Sequence, residues 1–226
     1  AACDICGCGA GTSYLGVLPQ YSRNLIGTRF QYSSFLHPNT NYNTNDLDSR
    51  VLEDRFYNTD LWMRYYPAEK LQLFAYVPYA VHTRIETNRM TTIQSLGDIN
   101  LNLNYTLMNY GDSITSDWKN LLLVGGGVTL PNGKYQQRDD TKLMLPAAFQ
   151  IGTGAIGYSI NIIHSLRYRT WGINTNLRYR FRGENELSYD YGNVFNCAIN
   201  LFYWGETKSF AYLPNIGIAL DHFEQD

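Results

Sequence analysis

Three thiols open the chain in the run Cys3-Asp4-Ile5-Cys6-Gly7-Cys8. Thiolates spaced C-x2-C-x-C can converge on one soft ion such as Cu(I) or Zn(II). In an oxidising compartment the same residues can close one disulfide instead. Cys6 and Cys8 flank only Gly7, so a bond between them would strain a small ring. The feasible pair is Cys3 with Cys6 or Cys8, which leaves one thiol for a metal or a partner protein. Lipidation of Cys3 would have removed Ala1-Ala2. The fourth cysteine, Cys197, runs in phase with Ile199 and Leu201 and reads as a plain buried or lipid-facing thiol.

A second set of residues carries charge and amide groups at alternate positions. Arg29, Asp60, Arg64, Asp98, Arg178 and Arg180 share a phase with Asn100, Asn102 and Asn174. If these line a wet lumen, two roles are open. They can select polar or charged solutes in a pore, or they can pair into a network that fills a narrow barrel. His37, His82, His164 and His222 complete the titratable set. No nucleophile, base and orienting group can be named together among them, so the chain is expected not to be an enzyme.

The elements that position these residues are strands. In Trp171 to Arg182, read W-G-I-N-T-N-L-R-Y-R-F-R, the odd positions are bulky (Trp171, Ile173, Leu177, Tyr179, Phe181). The even positions are small or polar (Gly172, Asn174, Asn176, Arg178, Arg180, Arg182). Period two over such a length is a strand with one face in an apolar medium and one in a wet medium. Three arginines facing an ordinary sandwich core would cost several kcal/mol each if unpaired. The inverse geometry suits a transmembrane barrel, with aromatic and aliphatic groups toward lipid and arginines toward the lumen. A soluble sandwich or lipocalin-like barrel also alternates and is the alternative.

Composition agrees. The chain has 226 residues, net charge −2 and 19 Tyr, a tyrosine content that suits aromatic girdles at two membrane interfaces. The near-neutral charge gives no hint of a nucleic-acid partner. No run of eighteen apolar residues exists, so a helical span is excluded. The Ala-Ala start without Met is expected of a mature chain freed of its signal peptide.

Nine strands are expected near 27–35, 54–66, 71–81, 97–109, 120–130, 149–163, 171–182, 193–204 and 209–221. Residues 1–26 are read as a periplasmic Cys/Gly-rich segment and 27–226 as the barrel. Pro78 needs a position that does not donate to the ladder. Residues 37–53, 82–95, 131–145 and 183–191 read as long polar loops on one side, opposite short turns such as 67–70. That asymmetry is the outer-membrane pattern of long extracellular loops and short periplasmic turns. Bacterial barrels have even strand numbers, so ten or twelve strands are expected in the complete protein.

Four short segments carry a family resemblance. They are Val77-Pro78-Tyr79, Leu96-Gly97-Asp98, Leu130-Pro131-Asn132-Gly133-Lys134-Tyr135 and Gln150-Ile151-Gly152-Thr153-Gly154. In their order and their placement at strand ends, residues 71–176 resemble the outer-membrane "transporter" barrels of the MetA-type phenol-degradation pathway family. Asn132 stands where that family more often has Thr, and the cysteine run is not a general family feature. The resemblance implies a passive conduit for small, hydrophobic or aromatic molecules in the outer membrane of a Gram-negative bacterium. Two further readings are carried: an accessory barrel docking an outer-membrane or periplasmic partner through residues 1–26, and copper or zinc handling at Cys3, Cys6 and Cys8. The expected partners are the lipid bilayer and a small solute.

Overall fold

The computed structural model describes residues 24–37, 52–86, 89–111, 116–139, 142–207 and 211–224. The cysteine run therefore lies outside the described residues. The strands are β1 (Leu25–His37), β2 (Leu52–Ala68), β3 (Leu71–Glu86), β4 (Arg89–Leu96), β5 (Ile99–Tyr110) and β6 (Trp118–Leu130). They continue as β7 (Gly157–Tyr168), β8 (Trp171–Arg182), β9 (Val194–Tyr203), the two-residue β10 (Gly205–Glu206) and β11 (Ala211–Tyr212), and β12 (Asn215–Phe223). Ten strands form one antiparallel sheet curled into a half-barrel, and β10 pairs only with β11. Among the described residues there is no α-helix, and none long and apolar enough to cross a membrane.

The path through the sheet runs β1-β2-β3-β5-β6-β7-β8-β9-β12, with β4 off it against the far half of β3. Strands β4 and β5 lie end to end along β3, broken at Gly97-Asp98 between the pairs Tyr79–Leu96 and Tyr76–Asn100. Pro78 sits opposite that break, where its carbonyl accepts the Gly97 N–H at 2.8 Å and its missing donor removes no ladder bond. The path keeps nine ranks, as the alternation predicts, but three boundaries move. Residues 82–95 are not a loop; β3 continues and pairs with β4 in a long hairpin. Residues 149–156 are not strand, and β7 begins at Gly157. The last strand starts at Asn215, because β10 and β11 occupy the approach to it.

The two faces of the sheet have inverted polarity. On β8, Trp171, Ile173 and Phe181 are exposed on the convex side, while Asn174, Asn176 and Arg178 are buried on the concave side. On β5, Leu103 and Tyr105 are exposed, while Asn102 and Asn104 are buried. Apolar burial on the concave face is confined to patches such as Leu121, Leu123 and Ile163. The outer edges of β1 and β12 have no strand partner among the described residues.

Buried amides need partners, and the glycines of β6 let them find each other across a strand. Asn104 accepts a hydrogen bond from Asn161 of β7 at 2.7 Å and donates to Gln72 of β3 at 3.0 Å. Gln72 in turn donates to the Tyr66 hydroxyl at 2.5 Å. A Cβ on Gly125 would stand 2.1 Å from Asn104 Oδ1, and one on Gly127 would stand 2.3 Å from Asn102 Oδ1. No side chain on β6 can therefore stand between β5 and β7 at these rungs. Gly125→Ala or Gly127→Ala should cost roughly 1–3 kcal/mol, the range for overpacking. Gly126→Ala, whose Cβ would meet only the Ser159 carbonyl at 3.1 Å, should cost less. Thermal unfolding followed by gel mobility checks this ranking.

Candidate functional site: a cavity beneath an infolded loop

The connection between β6 and β7, residues 131–156, turns back onto the concave face. Its apolar residues Leu145, Phe149 and Ile151 are buried against Phe56, Ala80 and Ile93 of the sheet. Phe149 is the anchor, with 1% of its surface exposed. Its ring meets Phe56 edge-on at 5.9 Å and His82 at 5.7 Å, and the Arg84 guanidinium lies 4.8 Å from its centroid. Arg84 is itself held by a two-point ion pair with Asp54, at 2.7 and 2.8 Å. His82 Nδ1 reaches the Phe149 carbonyl at 2.8 Å. His82 is thus a buried strand residue holding loop backbone, not a loop histidine free for catalysis.

The second anchor is Asp98. One carboxylate oxygen accepts the Gly133 N–H at 2.9 Å, and the other accepts the Thr153 N–H at 2.8 Å and its hydroxyl at 2.6 Å. Gly133 and Gly152 meet backbone to backbone, since a Cβ on Gly152 would lie 2.3 Å from the Gly133 carbonyl carbon. The Gly152 N–H donates to the Lys134 carbonyl at 3.0 Å, and the Tyr135 ring covers Gly154. The Gln150 side chain bridges to Gln137 and Leu145. All four segments that carry the family resemblance therefore meet in one knot at the base of the infolded loop. A clip to the next loop completes it: the Tyr135 hydroxyl donates to Glu186 at 2.7 Å, and the carboxylate raises the Tyr135 pKa.

Between loop and sheet lies a cavity of about 160 Å³. Ala147, Ile151, Thr153 and Ala155 line it from the loop. Arg29, Asp60, Tyr76, Asn100, Arg180 and Arg182 line it from the sheet.

The residues expected to line a lumen share the concave side but not one task. Arg29 is ion-paired with Asp60 across β1 and β2. Asn100 accepts from the Thr129 hydroxyl at 2.7 Å, and Asn102 is bonded by Ser159 at 3.3 Å. Asn174 and Arg64 are almost fully buried nearer the turn end, with Arg64 over the Tyr66 ring at 5.7 Å. Arg178 is 7% exposed. Arg180 borders the cavity, and Asp98 is committed to the loop. Sequence reasoning missed Asp54, Arg84, Gln150, Thr153 and the inward role of Tyr76. A signal was present for Arg84, which with His82 continues the phase of Tyr76 and Ala80.

Cys3, Cys6 and Cys8 lie outside the described residues, and no metal-binding group of His, Cys, Asp or Glu occurs among the described ones. Cys197 is a free, half-buried thiol on β9. No protein-family model matches the chain, and no curated protein is similar to it.

Asp98→Asn tests the anchor. The amide would turn an NH2 group toward donors that need an acceptor, so the loop loses charge-assisted bonds of about 1.5–3 kcal/mol each. Trypsin should then cut after Lys134 or Arg138 much faster than in the wild type, with the sheet intact by circular dichroism.

Proposed function

We propose that this chain is the wall of an outer-membrane β-barrel that conducts small molecules, with residues 131–156 as its constriction. The observation that carries the reading is the inverted polarity of the sheet, combined with the spacing of its aromatic residues. On adjacent strands, Tyr158 pairs with Phe181 near one end and Tyr168 with Trp171 near the other. All four are exposed on the convex side. A strand of 12 residues like β8 spans about 30 Å of bilayer at a tilt near 40°, close to a hydrocarbon core. The turn-end rim is the richer, with Trp118 packed on Tyr168 at 4.6 Å and Trp171 on Tyr203 at 5.1 Å. Paired rims of this kind match the interfacial girdles of membrane barrels.

Sidedness follows from loop length. The ends of β6 and β8 that carry residues 131–156 and 183–193 face outward, and the tight turns at 69–70 and 169–170 face the periplasm. On this reading the chain enters β1 from the periplasmic side. Among the described residues the outer edges of β1 and β12 have no strand partner, and each must have one for the wall to close, because an open edge in lipid leaves backbone groups unsatisfied. The resemblance to phenol-pathway transporter barrels supports the same conduit reading.

Planar-bilayer recording tests it. Purified wild-type protein should give small, discrete conductance steps, and Asp98→Asn, with its loop loosened, should give larger ones. Absence of steps from both proteins, in preparations that insert into the bilayer, would contradict the conduit.

A further inference from the structure

The connection after β8 stands beside the infolded loop from its first residue. Gly157 pairs with Arg182 on the last rung of β7 and β8, so Ile156 and Gly183 leave the sheet side by side. A Cβ on Gly183 would lie 3.2 Å from the Ile156 carbonyl oxygen. Residues 185–189 then close a turn around Asn185. Its N–H donates to the Tyr189 carbonyl at 3.1 Å, and its carbonyl accepts the Ser188 N–H at 2.9 Å. Its side-chain Oδ1 accepts the Leu187 N–H at 2.9 Å and the Tyr189 N–H at 3.1 Å. The other end of the same amide leaves the turn: Nδ2 donates to the Thr153 carbonyl of the infolded loop at 3.0 Å. Asn185 is 7% exposed, so this bond is withdrawn from water.

Thr153 is the residue whose N–H and hydroxyl are taken by Asp98. Asp98 therefore holds it from the sheet, and Asn185 holds it from the neighbouring loop. The bond from Tyr135 to Glu186, next in sequence to Asn185, is a second tie between the same two loops. Gly183 and Tyr191 reach past these ties to the cavity lining, beside Ile151 and Thr153.

We propose that residues 183–192 are a strap over the infolded loop, and that Asn185 is the positioning residue that fastens it through Thr153. An amide suits the post, because its oxygen accepts the strap's own N–H groups while its nitrogen donates across to the other loop. The two loops then loosen together rather than one at a time. The coupling stands on these bonds alone, whereas its effect on conduction rests on the conduit reading.

Asn185→Asp isolates the tie. At pH 8 its carboxylate still accepts from Leu187 and Tyr189 but has no donor for the Thr153 carbonyl. Hydrogen exchange of the protein in detergent, read by mass spectrometry, reports both loops separately. Asn185→Asp should raise exchange at Gly133, Gly152 and Thr153 about tenfold, with Leu187 and Tyr189 still protected. Asn185→Ala should loosen both loops, and Tyr135→Phe should act on both in the same direction but more weakly. In planar bilayers Asn185→Asp should give larger conductance steps than the wild type, as Asp98→Asn does. Faster exchange in 131–156 with no conductance from any of these proteins, the wild type included, would leave the strap standing and remove the conduit. Wild-type exchange over 131–156 in folded Asn185→Asp and Asn185→Ala would overturn the inference whatever the conductance.

Discussion

A polar side chain withdrawn from water must find a partner or cost about 1–3 kcal/mol, and the concave face of this sheet withdraws many. Asn102, Asn104, Asn161, Asn174, Gln72 and Arg64 are all buried there. Much of the architecture follows from satisfying them. Rungs of amides reach across β6 because Gly125 and Gly127 leave the way open. Charges meet as pairs, Arg29 with Asp60 and Arg84 with Asp54. The apolar residues freed from core duty stand on the convex side, where Ile26, Phe30, Ile160 and Trp171 are all exposed.

The infolded loop meets the same constraint by a different route. Where the concave face is apolar, at Phe56, Ala80 and Ile93, residues 145–151 cover it with apolar groups of their own. Where the loop's backbone would lose water, Asp98, His82 and Gln150 supply side-chain partners. An anchor made of one carboxylate and three donors is strong, yet a single substitution at Asp98 weakens it. On the proposed conduit reading, this anchor is what holds residues 131–156 in place as the constriction.

The strand faces were legible in the sequence because period two separates the bulky apolar side from the polar side. Trp171, Asn174 and Arg178 fall where the alternation puts them. The loop was not legible, and the reason is physical. Phe149, Ile151 and Ala155 fall at alternate positions with Gln150, Gly152 and Gly154 between them, which mimics a strand, but here the pattern comes from an extended loop packed on the wall. Likewise the polar stretch after Val81 resembled a loop, because a hairpin with one covered face carries polar groups on both sides. The resemblance segments were visible only as fragments at strand ends. Their convergence on Asp98 depends on contacts between residues up to 55 positions apart, which spacing cannot reveal. The cysteine run gained nothing from the fold, since it lies outside the described residues.

The central claim is that the convex face meets lipid. It is tested most directly by fluorescence of a variant that keeps Trp171 and replaces Trp62, Trp118 and Trp204 with Phe, reconstituted in vesicles with and without brominated phospholipid. Trp171, 56% exposed on the convex rim, should be strongly quenched by bromine on the acyl chains. A matched variant keeping only the concave-side Trp62, which packs over Gly27, should be quenched far less. Equal quenching of the two, or none of Trp171, would contradict the account.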